Sequence, residues 1–135
     1  MTMEIIDELL LDNVSEEARC SPRLRKNYNF HKSIEDKCQR FLNALEPGTY
    51  VPIHRHVSKD ENFVLLKGKV RVSTFNDQGD IVDSYIISHD LRRYGVNIPK
   101  NVWHSLECID SGSVIFEVKE GPYNPEEKVE VMEIY

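Results

Sequence analysis

Three histidines and one glutamate are the residues of this chain best suited to chemistry. His54 and His56 are separated by one residue, Glu61 lies five positions after His56, and His104 lies far downstream. Neutral imidazole binds iron, nickel, copper and zinc, and a carboxylate adds an oxygen ligand and negative charge. The set therefore predicts a site for one divalent transition metal, and Fe, Mn, Ni, Cu and Zn are all compatible with these donors.

The spacing of these residues predicts how the chain must hold them. Side chains two residues apart on a strand share a face, so His54 and His56 project together and the intervening arginine points away. Glu61 lies an odd number of residues after each histidine, so on one continuous strand it would project from the opposite face. It can join them only if residues 57–60 form a turn. A lone His-x-His pair is also typical of an exposed strand with two solvated histidines. Glu61 and His104 favour the metal site over that alternative.

The chain after residue 38 has the pattern of short strands and turns. Apolar residues separated by Gly, Pro, Asn and Asp predict seven further strands, at residues 38–45, 63–66, 69–75, 81–88, 95–99, 102–109 and 113–119. Strands of this length and regular spacing predict a β-sandwich or a barrel. Residues 121–125 are expected to wrap the outside before a last strand at 129–134.

The N-terminal segment is predicted to be helical over residues 4–20. The apolar residues that recur there at helical spacing are Ile5, Ile6, Leu9 and Leu10. Ser15 is expected to be the N-cap of a second short helix, because acidic residues follow it. Pro22 is expected to end that helix, since the residue before a proline avoids the helical conformation. Residues 27–33 are polar and aromatic, and their apolar residues recur at neither helical nor strand spacing.

Composition narrows the class of protein. A chain of 135 residues is long enough for one domain with a single core. No apolar run approaches the roughly 20 residues that span a membrane, and the acidic N-terminus carries no signal-peptide core, so we expect a cytoplasmic protein. The net charge of −6 argues against nucleic-acid binding. Three cysteines without Cys-x2-Cys spacing indicate reduced thiols, and Cys108 is expected either to be buried on a strand or to line a pocket.

One local charge cluster departs from this acidic balance. Five cationic side chains fall between residues 19 and 32, at Arg19, Arg23, Arg25, Lys26 and Lys32. Such a cluster is usually solvated. If it folds over the mouth of the barrel, it would suit a phosphate or carboxylate on a ligand.

Two motifs resemble those of the cupin proteins. The pattern Gly48-x5-His54-x-His56-x4-Glu61-x6-Gly68 is similar to the first cupin motif at every defined position. The spacing from Pro99 to His104 is similar to that of the second motif. In that second motif Asn101 stands where glycine is usual, and asparagine tolerates the left-handed backbone conformation that the turn needs. Trp103, next to His104, is expected to pack on the opposite face of the strand.

Three longer segments, residues 21–31, 39–50 and 117–123, resemble the WbuC-type cupin-fold metalloproteins of bacterial O-antigen and surface-polysaccharide gene clusters. The resemblance implies a mainly β fold, a cupin double-stranded β-helix or jelly-roll barrel with a short N-terminal helical segment. It implies that residues 1–36 pack on a barrel formed by residues 37–135. It also implies metal ligands at His54, His56, Glu61 and His104.

The open metal site and the polysaccharide setting of the family together suggest a metal-dependent enzyme that acts on a sugar or sugar-nucleotide intermediate, such as an isomerase or epimerase, although the resemblance itself implies no particular reaction. His31 and Tyr28 are candidate proton-transfer residues, although His31 is equally compatible with a packing or surface role. Arg40 and Asn43 are candidate substrate-binding residues, and their opposite parity allows only one to face inward. The alternatives are a non-catalytic metal-dependent glycan-binding module and a dioxygenase-like iron cupin. Exposed sheet edges favour a homodimer.

Overall fold

The computed structural model describes residues 2–122 and 129–132, which contain one helix and ten strands. The elements are α1 Glu8–Cys20, β1 Arg25–Asn29, β2 Cys38–Leu45, β3 His54–His56, β4 Glu61–Lys67, β5 Lys69–Phe75, β6 Ile81–Ser88, β7 Gly95–Ile98, β8 Trp103–Cys108, β9 Ser113–Glu120 and β10 Val129–Val131. The mainly β fold with a short N-terminal helix, predicted from the sequence, is confirmed.

The strands form two five-stranded sheets whose pairings are all antiparallel. The first sheet has the order β1-β2-β9-β4-β7 and the second has the order β10-β3-β8-β5-β6. Apart from β1-β2 and β5-β6, neighbouring strands in each sheet are not consecutive in the chain, as expected of a jelly roll. The main apolar core consists of Leu45, Phe63, Leu65, Val70, Val72, Ile87, Ile98, Cys108 and Ile115. The prediction that Cys108 is a buried strand residue is therefore confirmed.

The predicted turns explain why the strands begin and end where they do. Gly48 and Gly68 have φ values of 94° and 91°, which favour glycine at the ends of the segment that carries the first motif. The turn between β5 and β6 is stabilised by the Asn76 side chain, whose Oδ1 accepts from the backbone N–H groups of Gln78 and Asp80.

The helix differs from the prediction in its start and in its buried face. Asp7 is the N-cap, and its carboxylate accepts from Leu10 N at 3.0 Å. The side chains that pack on the outer face of the first sheet are Leu11, Val14 and Ala18, which contact a cluster containing Leu42, Ala44 and Val114. Of the predicted apolar stripe, Leu10 packs against this cluster, whereas Ile5, Ile6 and Leu9 are exposed.

Ser15 does not begin a second helix. It lies inside α1 and is buried, and the helix continues to Cys20 with Ser21 as its C-cap. The predicted end before Pro22 is confirmed. Among the described residues, no helix combines the length and the apolar character needed to cross a bilayer.

The first strand was not predicted. Residues 25–29 are polar and mostly exposed, yet they pair with β2 from Arg25↔Leu45 to Asn29↔Phe41. Polar and charged side chains are typical of edge strands, where they discourage pairing with other chains. Both α1 and β1 therefore pack on the first sheet, and the division of the chain at residues 36 and 37 remains a prediction.

The last described strand, β10, pairs with β3 through Val129↔His56 and Val131↔His54. It agrees with the first part of the strand predicted at 129–134. Residues 123–125 of the predicted wrap, and residues 133–134 of that strand, lie outside the described residues.

Candidate metal centre

Four side chains from three strands meet between the two sheets. His54 and His56 lie on β3, His104 lies on the neighbouring strand β8, and Glu61 is the first residue of β4 in the opposite sheet. One ligand atom from each residue lies within 4.8 Å of the others. The structure thus brings together all four residues that the sequence predicted as a set.

The strand pairings explain how the histidines reach the same place. His54 pairs directly with His104, which sets the two imidazole rings 4.3 Å apart between centroids. The turn before β8 is fixed by the Asn101 N–H, which donates to His56 O at 2.8 Å. Asn101 has a φ of 67°, so it adopts the left-handed conformation predicted for it.

Backbone carbonyls orient two of the histidine rings. Nδ1 of His54 lies 2.9 Å from Pro52 O, and Nδ1 of His104 lies 2.9 Å from Val102 O. A carbonyl oxygen can only accept a hydrogen bond, so Nδ1 is the donor in each ring. The Nε2 lone pair is then available to a metal, an arrangement that recurs around metal-bound histidines.

Glu61 lies at the centre of the cluster. Its Oε1 is 2.6 Å from His56 Nε2, its Oε2 is 3.1 Å from His104 Nε2, and Lys119 Nζ is 3.3 Å from Oε1. Both ring nitrogens of His104 therefore face oxygens that only accept, whereas a neutral imidazole carries one N–H. A cation between His104 Nε2 and the carboxylate would satisfy both lone pairs, so this donor set fits a divalent metal.

The electrostatic environment keeps two of the donors, Glu61 and His54, in the form that binds metal. Burial alone would raise the pKa of Glu61, but the close contacts with His104 and His56 and the charge of Lys119 hold that pKa well below its usual range. Burial, together with the neighbouring His104, lowers the pKa of His54 to about 4. Glu61 is therefore ionised and His54 neutral at neutral pH, as metal coordination requires.

The outer face of β3 is held by a separate group of polar and aromatic side chains. Arg55 Nη2 donates to Glu130 on β10 at 2.8 Å, and its guanidinium lies 4.2 Å from the centroid of the Trp103 ring. The Trp103 Nε1–H donates to Asp77 at 3.0 Å. Trp103 lies on the face opposite His104, as predicted, and Arg55 joins β10, β3 and β8 behind the ligands.

A cavity of about 500 Å³ extends from the cluster across the inner face of the first sheet. Its polar lining includes Asn27, Asn43, His54, Glu61, His104, Ser105, Glu117 and Lys119. Asn43 Nδ2 donates to Glu117 Oε2 at 3.1 Å, whereas the buried Asn43 Oδ1 has no hydrogen-bond partner among the described residues. Burial raises the pKa of Glu117, and Lys119 opposes this shift only in part.

Glu117 was missed by sequence reasoning, although the strand pattern contained a signal. In β9, Val114 and Phe116 pack toward the helix, while Ile115, Glu117 and Lys119 line the cavity. Alternation could therefore have placed the carboxylate inside. The clue was Ile115, an apolar residue on the same face as Glu117, since a strand with one solvated side normally carries polar residues on that side.

The other candidates predicted from the sequence lie in different places. Asn43 lines the cavity, and Arg40 lies on the opposite, outer face of β2. Nδ1 of His31 accepts from the Arg40 backbone N–H at 3.1 Å, and the ring is not among the cavity-lining residues. The Tyr28 hydroxyl donates to Glu4 at 3.2 Å, also away from the cavity. The structure therefore brings Asn43, but not His31, Tyr28 or Arg40, to the cluster's cavity.

Part of the basic cluster lies at the exposed end of the cavity. Arg23, Arg25 and Lys26 line it, together with Ser21 from the end of the helix. Arg19 instead pairs with Glu16 on α1 at 3.1 Å. Lys32 contributes to a different surface depression.

The two facing antiparallel sheets and the His/His/Glu/His cluster between them define a cupin-fold protein with a candidate metal site. Solved structures support the fold. The capsular polysaccharide assembling protein CapF from Staphylococcus aureus is 22% identical with a TM-score of 0.65, and the match covers 80% of this chain and 29% of CapF. This chain therefore spans less than a third of that CapF chain.

Two further structures share the fold. The oxalate decarboxylase of Lactobacillus farciminis is 16% identical with a TM-score of 0.59, over 80% of this chain and 31% of that one. KdgF from a Halomonas species is 11% identical with a TM-score of 0.57, over 77% of this chain and 84% of that one.

The family described as a domain of unknown function (DUF6016) matches residues 6–87. The chain belongs to this family. No curated protein sequence is detectably similar to it.

Proposed function

We propose that this protein is a metal-dependent cupin that acts on a sugar or sugar-nucleotide intermediate in the assembly of a bacterial surface polysaccharide. The observation that carries the proposal is the cluster of His54, His56, Glu61 and His104 at the inner end of a cavity of about 500 Å³. A volume of this size is typical of small-molecule sites. The structural similarity to CapF supports a polysaccharide setting, as does the resemblance of the sequence to the WbuC-type proteins.

Four protein ligands leave room on a six-coordinate metal for oxygens of a bound small molecule, unlike the closed tetrahedral shell of most structural zinc sites. A bound divalent metal would supply Lewis acidity, polarising a carbonyl or hydroxyl oxygen of the ligand. Isomerisation or epimerisation beside a carbonyl also needs a group that removes a proton and returns it.

Glu117 is the residue best placed for this proton transfer. Its carboxyl lines the cavity, Asn43 Nδ2 orients it, and burial raises its pKa toward the range in which a carboxyl can both hold and release a proton. His31 and Tyr28, the candidates from the sequence, lie outside the cavity lining. Lys119, which contacts Glu61, orients that carboxylate.

The experiment that tests the proposal combines metal analysis with isotope exchange. Protein purified without chelators should contain about one divalent metal per chain, and His54→Ala should remove it. Metal-loaded protein is then incubated in deuterated water with a panel of nucleotide sugars and sugar phosphates. Proton abstraction from the ligand would appear as deuterium incorporation in the mass spectrum. A panel that shows neither binding nor exchange would contradict the proposal.

A non-catalytic binding module is the second candidate function. The observation that favours it is the position of His31 and Tyr28 outside the cavity lining, so that Glu117 alone of these three residues could transfer a proton there. Glu117→Gln separates the two functions. Loss of deuterium exchange with retained binding supports the enzyme, whereas binding without exchange in the unchanged protein supports the module. Oxygen consumption with Fe(II), and none with zinc, would instead indicate an iron oxygenase. The homodimer and the cytoplasmic location stay predictions.

A further inference from the structure

Three cationic side chains converge on the exposed end of the cavity without a matching carboxylate. Arg23, Arg25 and Lys26 line the cavity, and none forms an ion pair with a described carboxylate. By contrast, Arg55 is paired with Glu130 and Arg71 with Glu107. The mouth therefore holds an excess of positive charge, although the protein has a net charge of −6.

Arg25 lies where this excess charge is least favourable for the free protein. It belongs to the edge strand β1 and is partly buried opposite Leu45. Burial and the adjacent Arg23 both lower the pKa of Arg25, and Glu117 offsets this only in part. A negatively charged group at the mouth would relieve the repulsion between the two guanidinium groups.

We propose that the cavity binds a ligand with an anionic group, a phosphate or a carboxylate, held by Arg23 and Arg25 with Lys26 beside them. The two guanidinium groups suit this role because their fixed N–H donors match the planar carboxylate and the phosphate oxygens. This inference rests on the proposed function only for the other end of the ligand, the oxygens placed at the metal cluster.

The layout of the first sheet indicates the shape of such a ligand. Arg25 on β1 and Glu61 on β4 are separated across the sheet by β2 and β9, three strand spacings or about 14 Å, and along the strands by a further six residues or about 20 Å, because Arg25 lies level with Ser113 and Glu61 level with Lys119 on β9. A single small ion cannot contact both Arg25 and the metal cluster, so a ligand that reaches both must be elongated.

Asn27 and Asn43 pair across β1 and β2 between these two ends of the cavity, and side-chain amides can hydrogen-bond to hydroxyl groups. The unpartnered Asn43 Oδ1 is an acceptor that a ligand hydroxyl could satisfy. The ligand is therefore a hydroxylated acid, such as a sugar phosphate or a uronic acid.

Isothermal titration calorimetry with three matched probes tests the inference: glucose 1-phosphate, glucuronate and neutral glucose. The protein is used as purified, and the variants are the double substitution Arg23→Gln/Arg25→Gln and the control Arg19→Gln. The control removes a charge from the same sequence cluster but outside the cavity. Each lost guanidinium contact to an anion should weaken binding by about tenfold.

The expected result is that at least one acidic probe binds more tightly than glucose, that the double variant loses this preference, and that the control keeps it. Preference for glucose 1-phosphate identifies the group as a phosphate, and preference for glucuronate identifies it as a carboxylate. Arg23→Lys/Arg25→Lys should restore part of the affinity, because the charge remains. The inference would be overturned if all three probes bound with equal affinity or if neither acid bound. It would also be overturned if the double variant kept its preference for the acid.

The same titrations in His54→Ala separate this inference from the proposed function. If the acidic preference survives in that variant while metal and deuterium exchange are lost, both hold. If the preference depends on the arginines but His54→Ala leaves exchange unchanged, the anion site stands and the metal-dependent function fails. If deuterium exchange depends on His54 but the arginine substitutions do not change binding of the acids, the metal-dependent function stands and the anion site fails.

Discussion

The space between the two sheets has an apolar end and a polar end, and the same strands build both. Along β9 the inward side chains change from Ile115 to Glu117, and along β8 they change from Cys108 to His104. The apolar end holds the two sheets together. The polar end buries groups that cost free energy unless they are paired. On each of these strands, residues at one end stabilise the fold and residues at the other end form the candidate site. Substitutions at the apolar end should therefore change the free energy of unfolding, and substitutions at the polar end should change metal binding.

The largest effect is expected at the apolar end. Ile115 is 1% exposed, so Ile115→Ala should lower the free energy of unfolding by about 2–5 kcal/mol through lost burial and an unfilled cavity. Urea denaturation of the metal-free protein measures this. Val64→Ala is the matched control, since Val64 lies on the neighbouring strand and is 48% exposed. An equal loss in both variants would contradict the division between the two ends.

At the polar end, His54→Ala should weaken metal binding by more than about a hundredfold, since even outer partners of metal ligands contribute about 10–100-fold. The stability of the metal-free protein should change little, because the imidazole is held in a polar cluster rather than in the core. Competition with a chromogenic chelator measures the affinity. His31→Ala is the control and should keep its metal affinity, and an unchanged affinity in His54→Ala would show that the cluster is not the site.

Glu117→Gln should stabilise the metal-free protein, by about 1 kcal/mol at neutral pH, because it removes a poorly compensated buried charge. The folded-state pKa of Glu117 lies above the ordinary value of 4.5, so its contribution to stability is fully present below that value and is lost as pH rises. The gain in the variant should therefore grow from acidic to neutral pH. Unfolding curves at several pH values check this, and a constant difference would contradict the raised pKa.

The smallest effect is expected at Asn101, in the turn before β8. Its φ of 67° is tolerated by asparagine and glycine but strained in alanine. Asn101→Gly should change stability by less than about 0.5 kcal/mol, and Asn101→Ala should cost about 1 kcal/mol. Thermal unfolding distinguishes them, and metal affinity should follow the same order. A glycine variant as unstable as the alanine variant would mean that the side chain, not the backbone, matters.

The sequence predicted the ligand set and many of the strands because both follow from local patterns. The bounds of β2, β5 and β6 agree with the prediction, since alternation and turn residues mark both ends of each. The members of the cluster were predicted because His54 and His56 have strand spacing and Glu61 follows a polar turn. Asn101 could be anticipated because few residues tolerate its backbone conformation.

The missed features depend on contacts that are distant in sequence. The stripe of Ile5 and Leu9 has the same helical spacing as that of Leu11 and Val14, and packing on the sheet decides which one is buried. Pairing with β2, rather than its own composition, makes residues 25–29 a strand. Glu117 looks like a solvated strand residue until the helix is seen to cover the other face of its sheet.

The pairing of β10 with β3 joins residues 129–131 to the candidate metal site. Val129 and Val131 lie opposite His56 and His54, and Glu130 holds Arg55 between the two ligands. Anything that releases β10 frees one edge of the strand that carries both histidines. Metal occupancy and the docking of this segment should therefore be thermodynamically linked. Chelation should speed amide hydrogen exchange at residues 129–131, and a chain cut before residue 129 should hold its metal less tightly.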